Sequence, residues 1–108
     1  MVKVLFDTSV LVAAFVKVHP QHGPCAVWWQ KVQNAEIKGI ISTHTLAELY
    51  SVLTRLPISP RISPTLAQQL IEENLKNFDI VPLTPEDYKI VIEQMVNLKL
   101  TGGAIFDA

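Results

Sequence analysis

The stretch that decides the fold lies at the start of the chain, where residues 2–9 have the sequence Val-Lys-Val-Leu-Phe-Asp-Thr-Ser. The β-rich run from Val2 to Phe6 has the length of a strand, and Asp-Thr-Ser follows it at once. From Val10 to Val16 every residue is apolar, which predicts a first helix that is buried on most of its sides. The pattern indicates a strand that passes directly into a buried helix, with Asp7 at the junction.

The alternation of strands and helices continues along the rest of the chain. Helical periodicity predicts four more helices, which begin near Pro24, Thr43, Pro64 and Pro85. Two more strands are predicted at residues 39–42 and 78–83, and Gly102-Gly103 ends the last helix. Strands separated by helices are typical of α/β proteins with a parallel sheet, so we predict that class. In such sheets ligands bind where strands end, which directs attention to Asp7.

Length and composition exclude several classes of protein. The 108 residues form one domain, and a composition that is 49% apolar and 18% charged excludes disorder. A single cysteine, Cys25, excludes a disulfide framework and a cysteine-based zinc cluster. The net charge of −1 excludes a protein that holds nucleic acid mainly through a basic surface. We expect a cytoplasmic protein, because no targeting signal or membrane-spanning apolar run is present in the sequence.

Three of the ten acidic residues stand among apolar neighbours, namely Asp7, Glu48 and Asp107. Asp7 is alternatively the N-cap of the first helix, although one carboxylate can both cap and bind, and Thr8 or Ser9 can orient it. Glu48 lies off the main apolar stripe of its helix, which fits a solvated side chain. The remaining surface of that helix is apolar too, which instead predicts burial and a partner for Glu48. Asp107 is alternatively an acid at a helix start.

These three acids suggest a chemistry if they meet at the carboxyl edge of the sheet. Two bare carboxylates ~4 Å apart repel by about 4 kcal/mol at an effective dielectric constant of about 20. Such a cluster requires protonation or a cation, and oxygen ligands suit Mg²⁺ or Mn²⁺. A divalent cation held by carboxylates typically activates water and neutralises a phosphodiester. The acids therefore point to metal-dependent phosphodiester hydrolysis.

Three segments of the chain resemble PIN-domain nucleases. They are Val-Leu-Phe-Asp-Thr-Ser-Val-Leu at 4–11, Ile-Ser-Thr-His-Thr-Leu-Ala-Glu-Leu-Tyr-Ser-Val-Leu-Thr-Arg at 41–55, and Gly-Gly-Ala-Ile-Phe-Asp-Ala at 102–108. The segments occur in the family's order, and the resemblance covers the whole chain. It implies a three-layer α/β/α fold and an endoribonuclease that hydrolyses RNA phosphodiester bonds with Mg²⁺ or Mn²⁺.

The resemblance also implies roles for residues and partners. Asp7, Glu48 and Asp107 would be catalytic metal ligands, supported by Thr8 and Ser9. Many small bacterial and archaeal members are toxins of the virulence-associated protein C (VapC) type, each held inactive by a cognate antitoxin. We therefore expect an RNA substrate and an antitoxin partner, as in a type II toxin–antitoxin pair.

The chain departs from the family pattern at its end. The family continues past the third acid through further strands and usually a fourth acidic residue, whereas this sequence ends at Ala108. We expect residues 1–108 to form a PIN-like domain that is incomplete at its C-terminal end. The strand from Val2 to Phe6 would then present an unpaired edge. This predicts a homodimer formed through that region, an exchange of elements between chains, or dependence on the missing segment.

Two other functions compete with the ribonuclease. The first is a non-catalytic PIN-like interaction module that truncation has made inactive. The second is a phospho-acceptor domain that uses Asp7, but haloacid-type phosphatases need Asp-x-Asp and position 9 is Ser. Receiver domains need paired acids at the end of the first strand, where only Asp7 is present. His19, His22 and His44 do not have the spacing of a metal site.

Overall fold

A computed structural model of the protein describes residues 1–82, 84–87, 89–90 and 93, and the backbone of residues 105–107. The helices are α1 (Thr8–Phe15), α2 (His22–Gln33), α3 (Thr43–Arg55) and α4 (Pro64–Asn74). The strands are β1 (Lys3–Phe6), β2 (Lys38–Ser42), β3 (Asp79–Val81) and β4 (Ile105–Asp107). Residues 85–87, 89–90 and 93 are also helical. Within the described part of the chain, no helix has both the length and the hydropathy that a membrane crossing requires.

The strands form one sheet in the order β3-β2-β1-β4. β1, β2 and β3 run parallel, with Val4 opposite Gly39 and Ile41 opposite Ile80. Helices connect these parallel strands, with α1 and α2 after β1 and α3 and α4 after β2. The predicted α/β class with a parallel sheet is confirmed, and the architecture is that of a three-layer α/β/α fold.

The second edge of β1 is paired rather than bare. β4 runs antiparallel to β1 along Val4, Leu5 and Phe6. The prediction of an unpaired edge is therefore wrong for these three residues. The sequence did not predict β4, because a strand of only three residues is too short to show the alternation of apolar and polar side chains that indicates a strand. Gly102 and Gly103, which were expected to end the last helix, lie outside the described residues.

Side-chain caps determine where three of the helices begin. Asp7, Ser42 and Ser63 each accept a hydrogen bond from a backbone N–H in the first turn of α1, α3 and α4, respectively. α1 consequently begins directly after Asp7, two residues before the predicted Val10. α2 differs, because its N-cap residue Gln21 makes no side-chain capping bond.

The helix that the sequence predicts near Pro85 is also confirmed in its first turn, which follows Thr84. The N–H of Asp87 donates to Thr84 Oγ1 at 3.1 Å, and the N–H of Thr84 donates to Asp87 Oδ2 at 2.9 Å. The backbone N–H of Thr84, followed by the Thr84 hydroxyl, stabilises the carboxylate of Asp87 and lowers its pKa. The apolar positions Tyr88, Val91 and Ile92, which were expected to continue this helix, lie outside the described residues.

The core is built around the contact between β1 and the chain that enters β3. The rings of Phe6 and Phe78 meet edge to face, with centroids 5.0 Å apart and planes at 86°. Gly39 in β2 lies directly beside this pair. A Cβ atom at Gly39 would approach the Phe78 ring to 2.7 Å and Val32 Cγ2 to 2.9 Å. The absence of a side chain at Gly39 therefore allows the sheet and α2 to close on one another.

Substitutions at Gly39 and Gly23 give a matched test of this packing. We expect Gly39→Ala to lower the free energy of unfolding by about 1–3 kcal/mol, because the new methyl group collides with Phe78 and Val32. Gly23→Ala should be neutral or raise it by up to about 1 kcal/mol, because Gly23 lies in α2 with nothing within 4 Å of the new Cβ. Urea unfolding followed by circular dichroism measures both. Equal stability of the two variants would contradict the packing described at Gly39.

Candidate active site

Asp7 lies where β1 ends and α1 begins. Its Oδ1 accepts a hydrogen bond from the N–H of Val10 at 3.1 Å, so Asp7 is the N-cap of α1. The capping alternative is thereby confirmed, and the bond fixes the carboxylate at the carboxyl end of the parallel strand. This is the location at which ligands bind in open α/β sheets. Capping and ligand binding are compatible, because a carboxylate carries two oxygens.

Glu48 lies in the second turn of α3 and meets the start of α1. The hydroxyl of Thr8 donates a hydrogen bond to Glu48 Oε1. Thr8 immediately follows Asp7 in sequence, so this bond brings the Glu48 carboxylate to the same end of β1. The other oxygen, Oε2, lies 3.7 Å from Nε2 of His44, one helical turn earlier.

The expectation that Glu48 is buried is wrong. Its side chain is 49% exposed, and the neighbouring Ala47 is exposed as well. The buried face of α3 is the stripe that contains Thr45, Leu49 and Leu53. Val52, which lies off this stripe, is partly buried against the core, whereas the positions of Ala47 and Glu48 stay exposed. Glu48 thus has a specific partner in Thr8 and remains accessible to solvent.

A cleft of about 470 Å³ adjoins these residues. Thr8, Ser9 and Glu48 contribute to its lining, together with the polar residues His19 and Gln21. The remainder of the lining is apolar and consists of Val12, Val52 and Leu56. Ser9 is exposed, whereas Thr8 is buried. The cleft therefore combines one acid, Glu48, and two hydroxyls with an apolar wall.

Asp107 lies at a different position along β1. Its backbone pairs with Val4, three residues before Asp7. At a rise of about 3.3 Å per strand residue, this separates the two along the strand by roughly 10 Å. The side chain of Asp107 lies outside the described residues. The structure brings Thr8, Ser9 and Glu48 to one cleft at the end of β1, where Asp7 caps α1. That Asp7, Glu48 and Asp107 share a metal ion stays a prediction.

The chemistry of the donors indicates which metal these residues suit. The described residues contain no group of three or more His, Cys, Asp and Glu side chains arranged to hold a metal ion. Asp7 and Glu48 supply carboxylates, and Ser9 supplies a hydroxyl at the same end of β1. Proteins usually bind Mg²⁺ through one or two carboxylates, with waters and substrate phosphates as further ligands. This oxygen donor set fits Mg²⁺ or Mn²⁺ better than Zn²⁺, which prefers nitrogen and sulfur.

The thiol of Cys25 is affected by burial and by the negative charge of Asp7. Burial raises the pKa of the Cys25 thiol, and the negative charge of Asp7 raises it further. A position in the first turn of α2 would by itself favour the thiolate, so burial and Asp7 outweigh the helix terminus. The thiol therefore stays protonated at neutral pH and acts as a small apolar side chain.

Alkylation of Cys25 tests this environment. We expect iodoacetamide to modify Cys25 more slowly in the folded protein than in urea at pH 8, because a raised pKa reduces the fraction of thiolate. Asp7→Asn keeps a capping side chain but removes the charge, so the midpoint of the pH–rate profile should fall. Mass spectrometry measures both rates. An unchanged midpoint in Asp7→Asn would show that the Asp7 charge does not reach the thiol.

Comparison with known proteins identifies the family of the chain. The model of the PIN domain family matches residues 4–108. The chain belongs to the PIN-domain family. Ribonuclease VapC27 of Mycobacterium tuberculosis (strain ATCC 25618 / H37Rv) is 36% identical over 107 residues, which cover 94% of this chain and 69% of that protein. Ribonuclease VapC40 of Mycobacterium tuberculosis (strain CDC 1551 / Oshkosh) is 32% identical over 103 residues, or 94% of this chain and 71% of that protein.

Membership of the PIN-domain family confirms the resemblance that the three sequence segments indicated. The sequence pattern gave no role to Gln21 and showed no metal-site spacing at His19, yet both residues line the cleft with Glu48. Neither residue belongs to a recognisable motif, and both are far from Glu48 in sequence. The sequence offered one indication. Gln21 stands directly before α2, at the N-cap position where Ser, Thr, Asp or Asn is usual, so its side chain is an uncommon choice for capping.

Proposed function

We propose that the protein is an endoribonuclease that hydrolyses RNA phosphodiester bonds with Mg²⁺ or Mn²⁺, as the toxin of a type II toxin–antitoxin pair. The observation that carries the proposal is the hydrogen bond from Thr8 to Glu48, because it joins a second carboxylate to the end of β1 beside Asp7. The PIN-domain match and the relatives named ribonucleases support RNA as the substrate. A cytoplasmic location is part of the same proposal.

Asp7 and Glu48 would hold the cation, with Asp107 as a third ligand. When bound, the cation supplies charge neutralisation for the phosphodiester and acidifies the attacking water. The chain's own residues supply position: the N-cap bond from Val10 fixes Asp7, and the Thr8 hydroxyl fixes Glu48. Such preorganised groups need no rearrangement during the reaction. The exposed hydroxyl of Ser9 lies in the same cleft, where it can donate a hydrogen bond to a phosphate oxygen.

Electrostatics explains why this site needs a cation to bind RNA. The phosphodiester is an anion, and two of the chain's ten acidic residues, Asp7 and Glu48, lie at this site in a protein whose net charge is −1. Carboxylates this close to a phosphate repel it unless a cation intervenes. The exposed side of Glu48 gives a hydrated cation access to the site.

The activity test uses substitutions that preserve shape. We expect RNA cleavage to require Mg²⁺ or Mn²⁺, and Asp7→Asn and Glu48→Gln each to lower kcat/KM by more than about 100-fold, because loss of an outer-shell partner alone costs up to that amount. Glu73→Gln removes an exposed charge from α4 and serves as the matched control, with unchanged cleavage. Cleavage of a fluorogenic RNA measures the rates.

Thr8 provides an internal check of the same mechanism. Thr8→Val removes the hydroxyl that holds Glu48, so a higher concentration of Mn²⁺ should be needed for half-maximal cleavage. Thr8→Ser keeps a hydroxyl and should restore the wild-type requirement. Cleavage that persists in excess chelator would refute the metal mechanism, and a protein that cleaves no RNA with either cation would favour the non-catalytic interaction module.

We also propose two protein partners, a cognate antitoxin and a second copy of the chain. β4 covers the edge of β1, so the support for a homodimer comes from exposed apolar side chains on α3, α4 and β3. Tyr50, Leu66 and Ile80 are 42%, 42% and 47% exposed. Burying such residues against a second copy would remove apolar area from water.

Light scattering tests the homodimer. We expect the purified protein to have a mass of about 24 kDa, twice the 12.1 kDa of one chain. Tyr50→Glu should shift this mass toward the monomer, because it places a charge on the apolar surface. A 12.1 kDa species that persists at high concentration in the unmodified protein would exclude the homodimer.

A further inference from the structure

We propose that His19 and Gln21 bind the nucleotide next to the scissile phosphate, so that the base of a single-stranded RNA lies in the cleft beside Glu48. This inference rests on the proposed ribonuclease function and adds to it a site that selects the base. Three features of the molecule support it: the lining of the cleft, the hydrogen bond that joins the two residues, and the charge of the chain.

The cleft is larger than a hydrated cation requires. Its volume of about 470 Å³ lies within the range of sites that hold small organic ligands. Val12, Val52 and Leu56 form an apolar wall, which suits the flat face of a base. A base inside a duplex is stacked on both faces and cannot present one to such a wall, so an unpaired nucleotide is required.

His19 is held in one tautomer by its neighbour. Its Nδ1 accepts a hydrogen bond from the N–H of Gln21 at 3.0 Å. A ring nitrogen that accepts carries no proton, so Nε2 of the neutral ring carries it and acts as a donor. The backbone of His19 is also fixed, because its N–H donates to Val16 O and its carbonyl accepts from His22, both at 3.0 Å. The ring therefore offers a positioned donor at the cleft.

Gln21 has a side chain that makes no hydrogen bond to any residue in the described part of the chain. It occupies the N-cap position of α2, yet its side chain makes no capping bond. Its backbone supplies the local contacts instead, with the N–H bonded to His19 and the carbonyl accepting from the N–H of Cys25 at 3.2 Å. The exposed amide lines the cleft and offers both a donor and an acceptor, which can pair with the edge of a base.

The charge of the chain makes base contacts necessary. With nine Lys and Arg residues against ten Asp and Glu residues, the protein gains little from general attraction to phosphates. Affinity for RNA must then come largely from contacts with an unpaired base, as it does in proteins that stack and pair single-stranded nucleotides.

The experiment measures RNA binding separately from cleavage. Fluorescein-labelled short homopolymers of A, C, G and U, and a short RNA duplex, are titrated with the protein in Ca²⁺, which supplies the divalent charge at the carboxylates, and followed by anisotropy. Gel electrophoresis checks that the RNA stays intact during the titration. We expect the protein to prefer one homopolymer and to bind the duplex most weakly. His19→Ala and Gln21→Ala should each weaken binding to the preferred homopolymer by about 10-fold and reduce the preference among bases.

The variants are chosen to separate contact from folding. Gln21→Ala keeps both backbone hydrogen bonds of residue 21, so it leaves the turn and α2 intact. Gln69→Ala makes the same change at an exposed position of α4 and should bind like the unmodified protein. In cleavage assays, Gln21→Ala should raise KM and leave kcat nearly unchanged, because the amide holds the base and not the reacting atoms.

Two results would each overturn the inference. In the first, His19→Ala and Gln21→Ala both bind every homopolymer with an affinity within twofold of that of the unmodified protein. In the second, the unmodified protein binds none of the homopolymers. If the protein cleaves RNA but the variants keep its affinity and base preference, the nucleotide site is wrong and the ribonuclease stands. If the expected preference is found but nothing is cleaved with Mg²⁺ or Mn²⁺, the ribonuclease is wrong and the nucleotide site stands.

Discussion

The hydrogen bond from Thr8 to Glu48 is the interaction on which the candidate site depends. Thr8 is buried, and a buried hydroxyl without a partner carries a substantial free-energy cost. The carboxylate of Glu48 meets that requirement from the side of α3 that faces solvent. One bond thus satisfies a polar group of the interior and also fixes a half-exposed acid next to Asp7.

The rest of the fold holds the two ends of that bond in place. β1 lies between β2 and β4, so its carboxyl end cannot move without breaking pairing on both sides. The Phe6–Phe78 contact and the closely packed Gly39 join β1 and β2 to the chain entering β3. Asp7 then caps α1 directly at the end of this supported strand. The position of the acids is therefore a consequence of core packing and of a helix cap.

Local chemistry made much of this predictable from the sequence. The junction at Asp7 was visible because a β-rich run passes directly into an apolar helix, and Ser63-Pro64 marked the start of α4 as predicted. The order of strands and helices along the chain was sufficient to predict the parallel β1–β2–β3 sheet, and the order of the three motif segments was sufficient to predict the family. These features depend on residues close in sequence, where periodicity and capping preferences act.

Other features depend on residues far apart in sequence and could not be predicted. The apolar composition of α3 suggested a buried Glu48, but which side of a helix is covered depends on how neighbouring elements pack. β4 gave no periodic signal, and its pairing partner lies about a hundred residues away along the chain. His19 and Gln21 became candidates only when α1, α2 and α3 were brought together around one cleft.

The central claim is that Asp7 and Glu48 act as ligands of one divalent cation. Electron paramagnetic resonance of Mn²⁺ titrated into the RNA-free protein tests it most directly, because it counts bound ions without requiring cleavage. The account predicts one bound Mn²⁺ per chain, which is lost in Asp7→Asn, in Glu48→Gln and, to the same extent, in the double variant. Mn²⁺ binding that survives with full affinity in either single variant would contradict the claim, because the two carboxylates would then not share a cation.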